Sequence, residues 1–270
     1  MDFIRDYYFD FTIMGDEFGR VFDGFVLTLQ LSIVAGVLSL AWGLVLALVR
    51  QLPGKPLAPL RWLAIGYIDA LRGIPMLLVL FLVSGFLSVA ASPVGGEILP
   101  REIGIPTWFG MTSPFWYGVI SLTLTYGAYM AEVYRAGIEA VPHGQMEAAR
   151  SLGMSHGKAM RHVIVPQAVR KVIPPLLNDF IALMKDTSLV SVIGALEVVQ
   201  VGNDIQNEQI NGSGLVLGAL FFLAITIPLA RLVDYLIAKQ QRRTQRSGGG
   251  DEDEPEESGP APMPTGLAGA

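Results

Sequence analysis

From Gly24 to Val49 the chain carries no ionisable side chain. A helix over that run is about 39 Å long at about 1.5 Å per residue, more than the roughly 30 Å of a bilayer's hydrocarbon core. Gly73–Gly96, Ile103–Ala131 and Gln209–Ala230 are three further charge-free runs, the last continuing to Ile237. Between the last two lies Ile173–Val201, apolar but interrupted by Asn178, Asp179, Lys185, Asp186 and Glu197. It reads as a fifth span with a polar face. The spans are placed at about residues 24–49, 73–92, 115–134, 174–200 and 214–237.

Counting Lys and Arg in the connections orients the spans. Arg5, Arg20 and Arg101 fall on one side. Arg50, Lys55, Arg61, Arg135, Arg150, Lys158, Arg161, Arg170, Lys171, Lys239, Arg242, Arg243 and Arg246 fall on the other. Thirteen against three places the N-terminus outside and the C-terminus inside. The expected fold class is an all-α integral membrane protein of five transmembrane helices. Residues 1–23 are an extracytoplasmic segment, too acidic and too short to span, with Tyr7, Tyr8 and Phe9 suited to the interface. Six acids precede the first span, the reverse of the basic start of a signal peptide.

Composition closes other routes. The chain is 51% hydrophobic and 16% charged, where a soluble domain carries about 25% charged residues. The net charge of −5 comes from the six carboxylates between Asp251 and Glu257. No basic stripe marks a nucleic-acid binder. Without cysteine there is no disulfide, thiolate chemistry or Cys-ligated metal. Residues 241–270 read as an acidic cytoplasmic tail, too poor in large apolar groups to offset its ordering entropy.

The stretch between spans three and four, on the cytoplasmic side, is far longer than a helix hairpin needs. Val141-Pro142-His143-Gly144 is a turn signal, and Gln145 to Leu152 are strong helix formers. Gly153 stands where a left-handed cap ends that short helix, and Ser155 can cap a second one running to Pro166. Two short helices joined by a glycine elbow result, and the first is too short to be stable without a surface to dock on.

Glu147-Ala148-Ala149, three residues, Gly153, nine residues, then Val163-Ile164-Val165-Pro166 resembles the EAA signature of ABC-importer permeases. Val163 and Val165 stand where that pattern more often has Ile and Leu. Thr125–Ile138, Thr28-Leu29, Tyr67–Pro75 and Lys185-Asp186-Thr187-Ser188-Leu189 look like the polar amino acid subfamily, the histidine, glutamine and arginine permeases. The resemblance covers about residues 20–240.

What the resemblance implies is a type I ABC importer fold, multi-pass in a bacterial cytoplasmic (inner) membrane, with a permease domain over residues 24–240. It implies a dimer with a second permease subunit, identical or paralogous, a cytoplasmic ABC ATPase, and an extracytoplasmic substrate-binding protein. Residues 142–166 form the coupling segment that enters the ATPase, with Gln145, Glu147, Ala148, Ala149, Gly153 and Pro166 as its contact and shaping positions. ATP and Mg are bound by the partner ATPase, so this chain needs no cofactor and is not itself an enzyme. Its own Gly153–Ala159 string has the wrong spacing for a phosphate loop and lacks the closing Ser or Thr. His143, His156 and His162 have no metal-site context.

Ionisable groups within spans are costly and point to function. Asp69 and Arg72 sit at i and i+3 and are placed to pair, just before a kink at Pro75. Glu132 extends a polar stripe from Thr125 and Tyr129. Asn178 and Lys185 share one helix face and Asp179 and Asp186 the next. A zwitterionic amino acid needs both an acceptor and a donor, which Asp69, Arg72, Glu132, Asn178, Asp179, Lys185 and Asp186 can supply. The same charges also suit structural ion pairs, such as Lys185 with Asp186 or Glu132. Arg231 and Asp234 read as an inner-boundary anchor. Two rivals to the permease reading remain at this level: an ion-coupled secondary transporter with a proton on Asp69, Glu132 or Asp186, and a membrane scaffold that recruits a partner without transport.

Overall fold

The structure is a computed structural model that describes residues 2–52 and 54–248. Every regular element among the described residues is helical: α1 (Asp2–Tyr8), α2 (Phe11–Asp16), α3 (Phe18–Arg50), α4 (Ala58–Gly73), α5 (Met76–Ala90), α6 (Arg101–Gly104), α7 (Ser113–Glu139), α8 (His143–Ser151), α9 (His156–Ala159), α10 (Val165–Asp186), α11 (Val198–Gln209) and α12 (Ser213–Gly248). The helix α3 and the Ser213–Gln241 part of α12 are long and apolar enough to cross a membrane, and the bent pair α4 and α5 together is a third such unit.

The spine is α3 against α7. Small residues let the two backbones approach: a Cβ at Gly43 would stand 2.9 Å from the Gly127 carbonyl oxygen, and one at Gly127 would stand 2.6 Å from the Trp42 ring. Close packing of this kind is how helices associate where water supplies no hydrophobic drive between them. Buried clusters follow α3 along its length. Val21 and Phe25 pack with Val198, Ile205 and Leu217; Ala35 with Leu122, Leu183 and Val190; Leu46 and Ala47 with Ala64, Ile68 and Ala131.

At its start the chain folds back on the head of α12. The Gly212 N–H donates to the Tyr7 carbonyl, the Asp10 N–H donates to Ser213 Oγ, and Tyr8 packs on Gly212. Phe9 and Phe11 remain exposed.

Two apolar runs fold differently from the expectation. The run 73–92 is α5 alone, preceded by α4, and the two helices meet at 113°. Ile74 and Pro75 are both extended there, because a residue before proline is pushed out of the helical region and proline lacks the N–H to continue the ladder. The run 174–200 is not one helix. Helix α10 stops at Asp186, a 3₁₀ stretch covers Thr187–Ile193, Gly194 is left-handed at φ 88°, and Glu197 caps α11. The hydroxyls of Thr187, Ser188 and Ser191 each donate to a carbonyl three residues back, tightening this turn. Residues 202–209, expected in a loop, belong to α11.

The elbow forms at Gly153, which has φ 81° and donates its N–H to the Arg150 carbonyl, and Ser155 Oγ accepts from the Lys158 N–H. The second helix does not end at Pro166. A π-helical turn at Met160–Ile164 joins α9 to α10, so helix runs unbroken from His156 to Asp186. A wide turn leaves room for a proline that lacks its N–H. Helix α12 also outruns the expected span and continues to Gly248, so residues 241–248, expected in the tail, are helical. The acidic stretch of that tail lies outside the described residues.

Candidate functional site

A cavity of about 470 Å³ opens where α4 breaks into α5. One wall is the break itself, Arg72 to Met76. The second is α7, through Thr125, Tyr126 and Tyr129. The third is α10, through Asp179, Ala182 and Asp186.

Each wall carries a polar function fixed by local structure. At the break, Ile74 donates back to Ala70 and Leu78 and Val79 donate to Pro75, whereas the Met76 and Leu77 N–H groups have no backbone acceptor among the described residues. These are two of the four orphan donors every helix start leaves, and the helix dipole adds partial positive charge to them. The Arg72 guanidinium lies over the Tyr129 ring, its central carbon 5.6 Å from the ring centroid, and the Tyr129 hydroxyl donates to the Arg72 carbonyl at 3.3 Å. Broken helices that aim such an end into a cavity are a recurring way to hold an anionic group within a bilayer.

On α10, Asp179 Oδ2 is buried with no hydrogen-bond partner, and on α7 so is Thr125 Oγ1, on a residue only 3% exposed. Both residues line the same cavity as Arg72, whose positive charge acts on Asp179. Tyr126 donates its hydroxyl proton to Asp186 Oδ2 at 2.8 Å.

The sequence candidates divide cleanly. Arg72, Asp179 and Asp186 come together in the cavity. The expected Asp69–Arg72 pair does not form: Asp69 is exposed and Arg72 turns to Tyr129. Asn178 and Lys185 are exposed and line no wall, and Lys185 makes no ion pair among the described residues. Glu132 stands apart from the cavity. It accepts from Arg50 at the end of α3 and from Arg135, which also pairs with Glu139. Arg50, Gln51, Arg135, Ile138 and Glu139 line a second, smaller cavity of about 310 Å³. Arg231 and Asp234 do pair, 3.7 Å apart on an exposed face.

Sequence reasoning missed Tyr126 and the orphan N–H groups of α5. The Ile74-Pro75 step was the available signal for the latter.

The elbow forms a second surface. Helix α8 seats on the chain through Met146 and Ala149, over a cluster of Val141, Ile164 and Ala168. Ala149 is only 4% exposed, so it faces inward, whereas Gln145, Glu147, Ala148 and Gly153 are exposed. Gln145 accepts from Gln167 Nε2 at 3.3 Å, and Pro166 is exposed on the helix beyond the π turn. Leu152 at the tip is 80% exposed, an apolar group that none of the described residues covers.

Relatives agree with this architecture. A probable glutamine ABC transporter permease of Bacillus subtilis (strain 168) is 35% identical over 87% of this chain and 98% of its own. A glutamate/aspartate import permease of Escherichia coli is 31% identical over 88% of this chain and 99% of its own. A crystal structure of an amino acid ABC transporter with histidines superposes with a TM-score of 0.71 at 32% identity, covering 87% of this chain and 98% of that one. The all-helical fold is type I ABC importer-like. With the family's pattern matched over residues 39–243, the chain belongs to the binding-protein-dependent transport system inner membrane components.

Proposed function

We propose that this chain is the membrane-spanning permease subunit of an ATP-driven importer, and that its cargo is a polar amino acid. The observation that carries the cargo is the cavity. It sets Arg72 and Met76, whose N–H has no backbone acceptor among the described residues, on one wall, and Asp179 and Thr125, each with a buried oxygen that has no hydrogen-bond partner, on the others. An α-amino acid presents the complementary pair of charges. Its carboxylate fits the α5 end with Arg72, and its ammonium fits Asp179 with Thr125.

The topology that goes with this reading has five spans, with the N-terminus outside and the C-terminus inside. Helices α3, α7 and α12 each cross once, α4 with α5 forms a broken span, and α10 with the turn after it forms the remaining one. The Lys and Arg distribution supports that orientation. The exposed face of α8, with Glu147, Ala148 and Leu152, is the surface offered to a separate ATPase. That subunit holds ATP and Mg, and ATP-driven closure of two such subunits alternates the access of a permease dimer fed by an extracytoplasmic binding protein. Glu132 is engaged by two arginines, which argues against its use as a proton carrier.

The test is uptake by proteoliposomes holding the chain with its co-purified ATPase and binding protein. Uptake of a labelled polar amino acid that requires internal ATP supports the reading. Uptake driven by a proton gradient with ATP absent overturns it.

A further inference from the structure

Three charged side chains line the main cavity: Arg72, Asp179 and Asp186. On the reading of that cavity as an amino acid site, Arg72 meets the α-carboxylate and Asp179 the ammonium. Asp186 is then left without a counterpart. The Tyr126 hydroxyl satisfies its Oδ2, but that one proton is all Tyr126 has to give. Its Oδ1 has no donor among the described residues, and Lys185 beside it in sequence points to no ion pair. Asp186 lies two helical turns beyond Asp179, an offset of about 10 Å along α10 at about 1.5 Å per residue. A methyl side chain does not cover that offset; a long side chain does.

We infer that Asp186 is the specificity-determining residue of the site. It selects a long substrate side chain that donates hydrogen bonds, a carboxamide or a cation, and rejects a side-chain carboxylate. A donor completes the free oxygen of Asp186. A carboxylate there sets two like charges together and gives the free oxygen of Asp186 no donor. Sites built around a polar partner discriminate strongly against a ligand that leaves that partner unmatched.

The experiment uses the full chain in lipid nanodiscs with the subunits that co-purify with it, and no binding protein. L-alanine, L-glutamine, L-arginine and L-glutamate are titrated by calorimetry. Glutamine or arginine is expected to bind roughly tenfold or more tighter than alanine, and glutamate roughly tenfold or more weaker than glutamine. Glutamate binding as tightly as glutamine overturns the inference, while binding of alanine leaves the amino acid reading standing. Binding of none of the four overturns both. Asp186→Asn is expected to narrow the gap between glutamine and glutamate. Tyr126→Phe, which removes a donor and exposes more of the charge, is expected to widen it. Because the two variants move the gap in opposite directions, either alone decides the matter if the other fails to fold. A gap that stays fixed in a folded variant assigns Asp186 to the fold and overturns the inference.

Discussion

Thr28 of α3 and Glu197 at the head of α11 hold each other where neither is exposed to solvent. Thr28 Oγ1 lies 3.3 Å from Glu197 Oε2 and also accepts the Val198 N–H at 3.2 Å. Glu197 Oε1 in turn accepts the Val199 and Gln200 N–H groups at 2.9 and 3.0 Å. One carboxylate thereby caps a helix and ties it to the spine. Removing it in Glu197→Ala strips the cap and leaves buried donors unmet, a loss of about 1–3 kcal/mol. A lower melting temperature of the purified protein in detergent is the expected result, and an unchanged one contradicts the tie. Thr28→Val keeps the cap and costs less.

The Arg50–Glu132–Arg135 cluster joins the ends of α3 and α7. Glu132 is 15% exposed and its two arginines 24% and 34%, between the cheap surface pair and the costly buried one. Glu132→Gln is expected to destabilise by about 2 kcal/mol. A double-mutant cycle with Arg50→Met measures the share that belongs to the cross-helix pair. Coupling below about 0.3 kcal/mol, within ordinary additivity, contradicts a structural role.

The cavity assignment predicts different losses on its walls. Asp179→Asn removes the charge that faces the ammonium and is expected to weaken amino acid binding by about 10- to 100-fold. That corresponds to about 1.4–2.7 kcal/mol. Thr125→Val removes one neutral acceptor and is expected to cost less. Calorimetric titration of both variants ranks them, and an Asp179 variant with full affinity contradicts the assignment.

At the elbow, Glu147→Lys inverts the charge of the exposed face of α8 without touching the seat made by Met146 and Ala149. The protein is expected to assemble in the membrane while ATP hydrolysis no longer drives uptake. Gly153→Ala places a Cβ at φ 81°, strained by about 1–2 kcal/mol, and is expected to loosen the elbow and lower uptake by a smaller amount. Paired assays of hydrolysis and uptake check both, and full transport by Glu147→Lys contradicts the docking role.

Arg20 forks onto Glu208, with Nη1 2.8 Å from Oε2 and Nη2 3.2 Å from Oε1, joining the start of α3 to the end of α11. The hydrogen bond from Arg20 holds the Glu208 carboxyl below its ordinary range. A carboxylate depressed on folding stabilises above its unfolded pKa of about 4.3 and loses that contribution as pH falls through the lower folded value. The wild-type melting temperature is therefore expected to fall more steeply below about pH 4.3 than that of Glu208→Gln. Parallel curves contradict the fork in solution.

The sequence made the elbow legible because its signals are local. Gly153 does take the left-handed cap, and Ser155 does cap the next helix. Pro75 does interrupt its helix. What stayed hidden depended on distance. Glu132 finds Arg50 82 residues away, and Tyr126 finds Asp186 60 residues away. Local spacing pairs Asp69 with Arg72, but the Tyr129 ring from α7 captures the guanidinium. The stop at Asp186 was masked because Leu189, Val190, Val192 and Ile193 keep the run apolar while hydroxyls change its geometry. Hydropathy registers what a segment prefers as surroundings and is blind to which carbonyl a serine chooses. Nor did the Ala148-Ala149 pair disclose which alanine turns inward. That depends on where Met146 finds its pocket.

The unbroken helix from His156 to Asp186 makes the elbow and the Asp186 cavity two ends of one rod, about 46 Å from tip to tip. Geometry then amplifies small rotations. A pivot of about 5° about one end carries the other through roughly 4 Å, enough to separate Asp186 from the amino acid proposed to lie beside it. The π turn near the base and the Pro174–Pro175 pair, which removes two backbone donors midway, are the weak points of such a rod, so their stiffness sets how much of any movement at the elbow reaches the cavity.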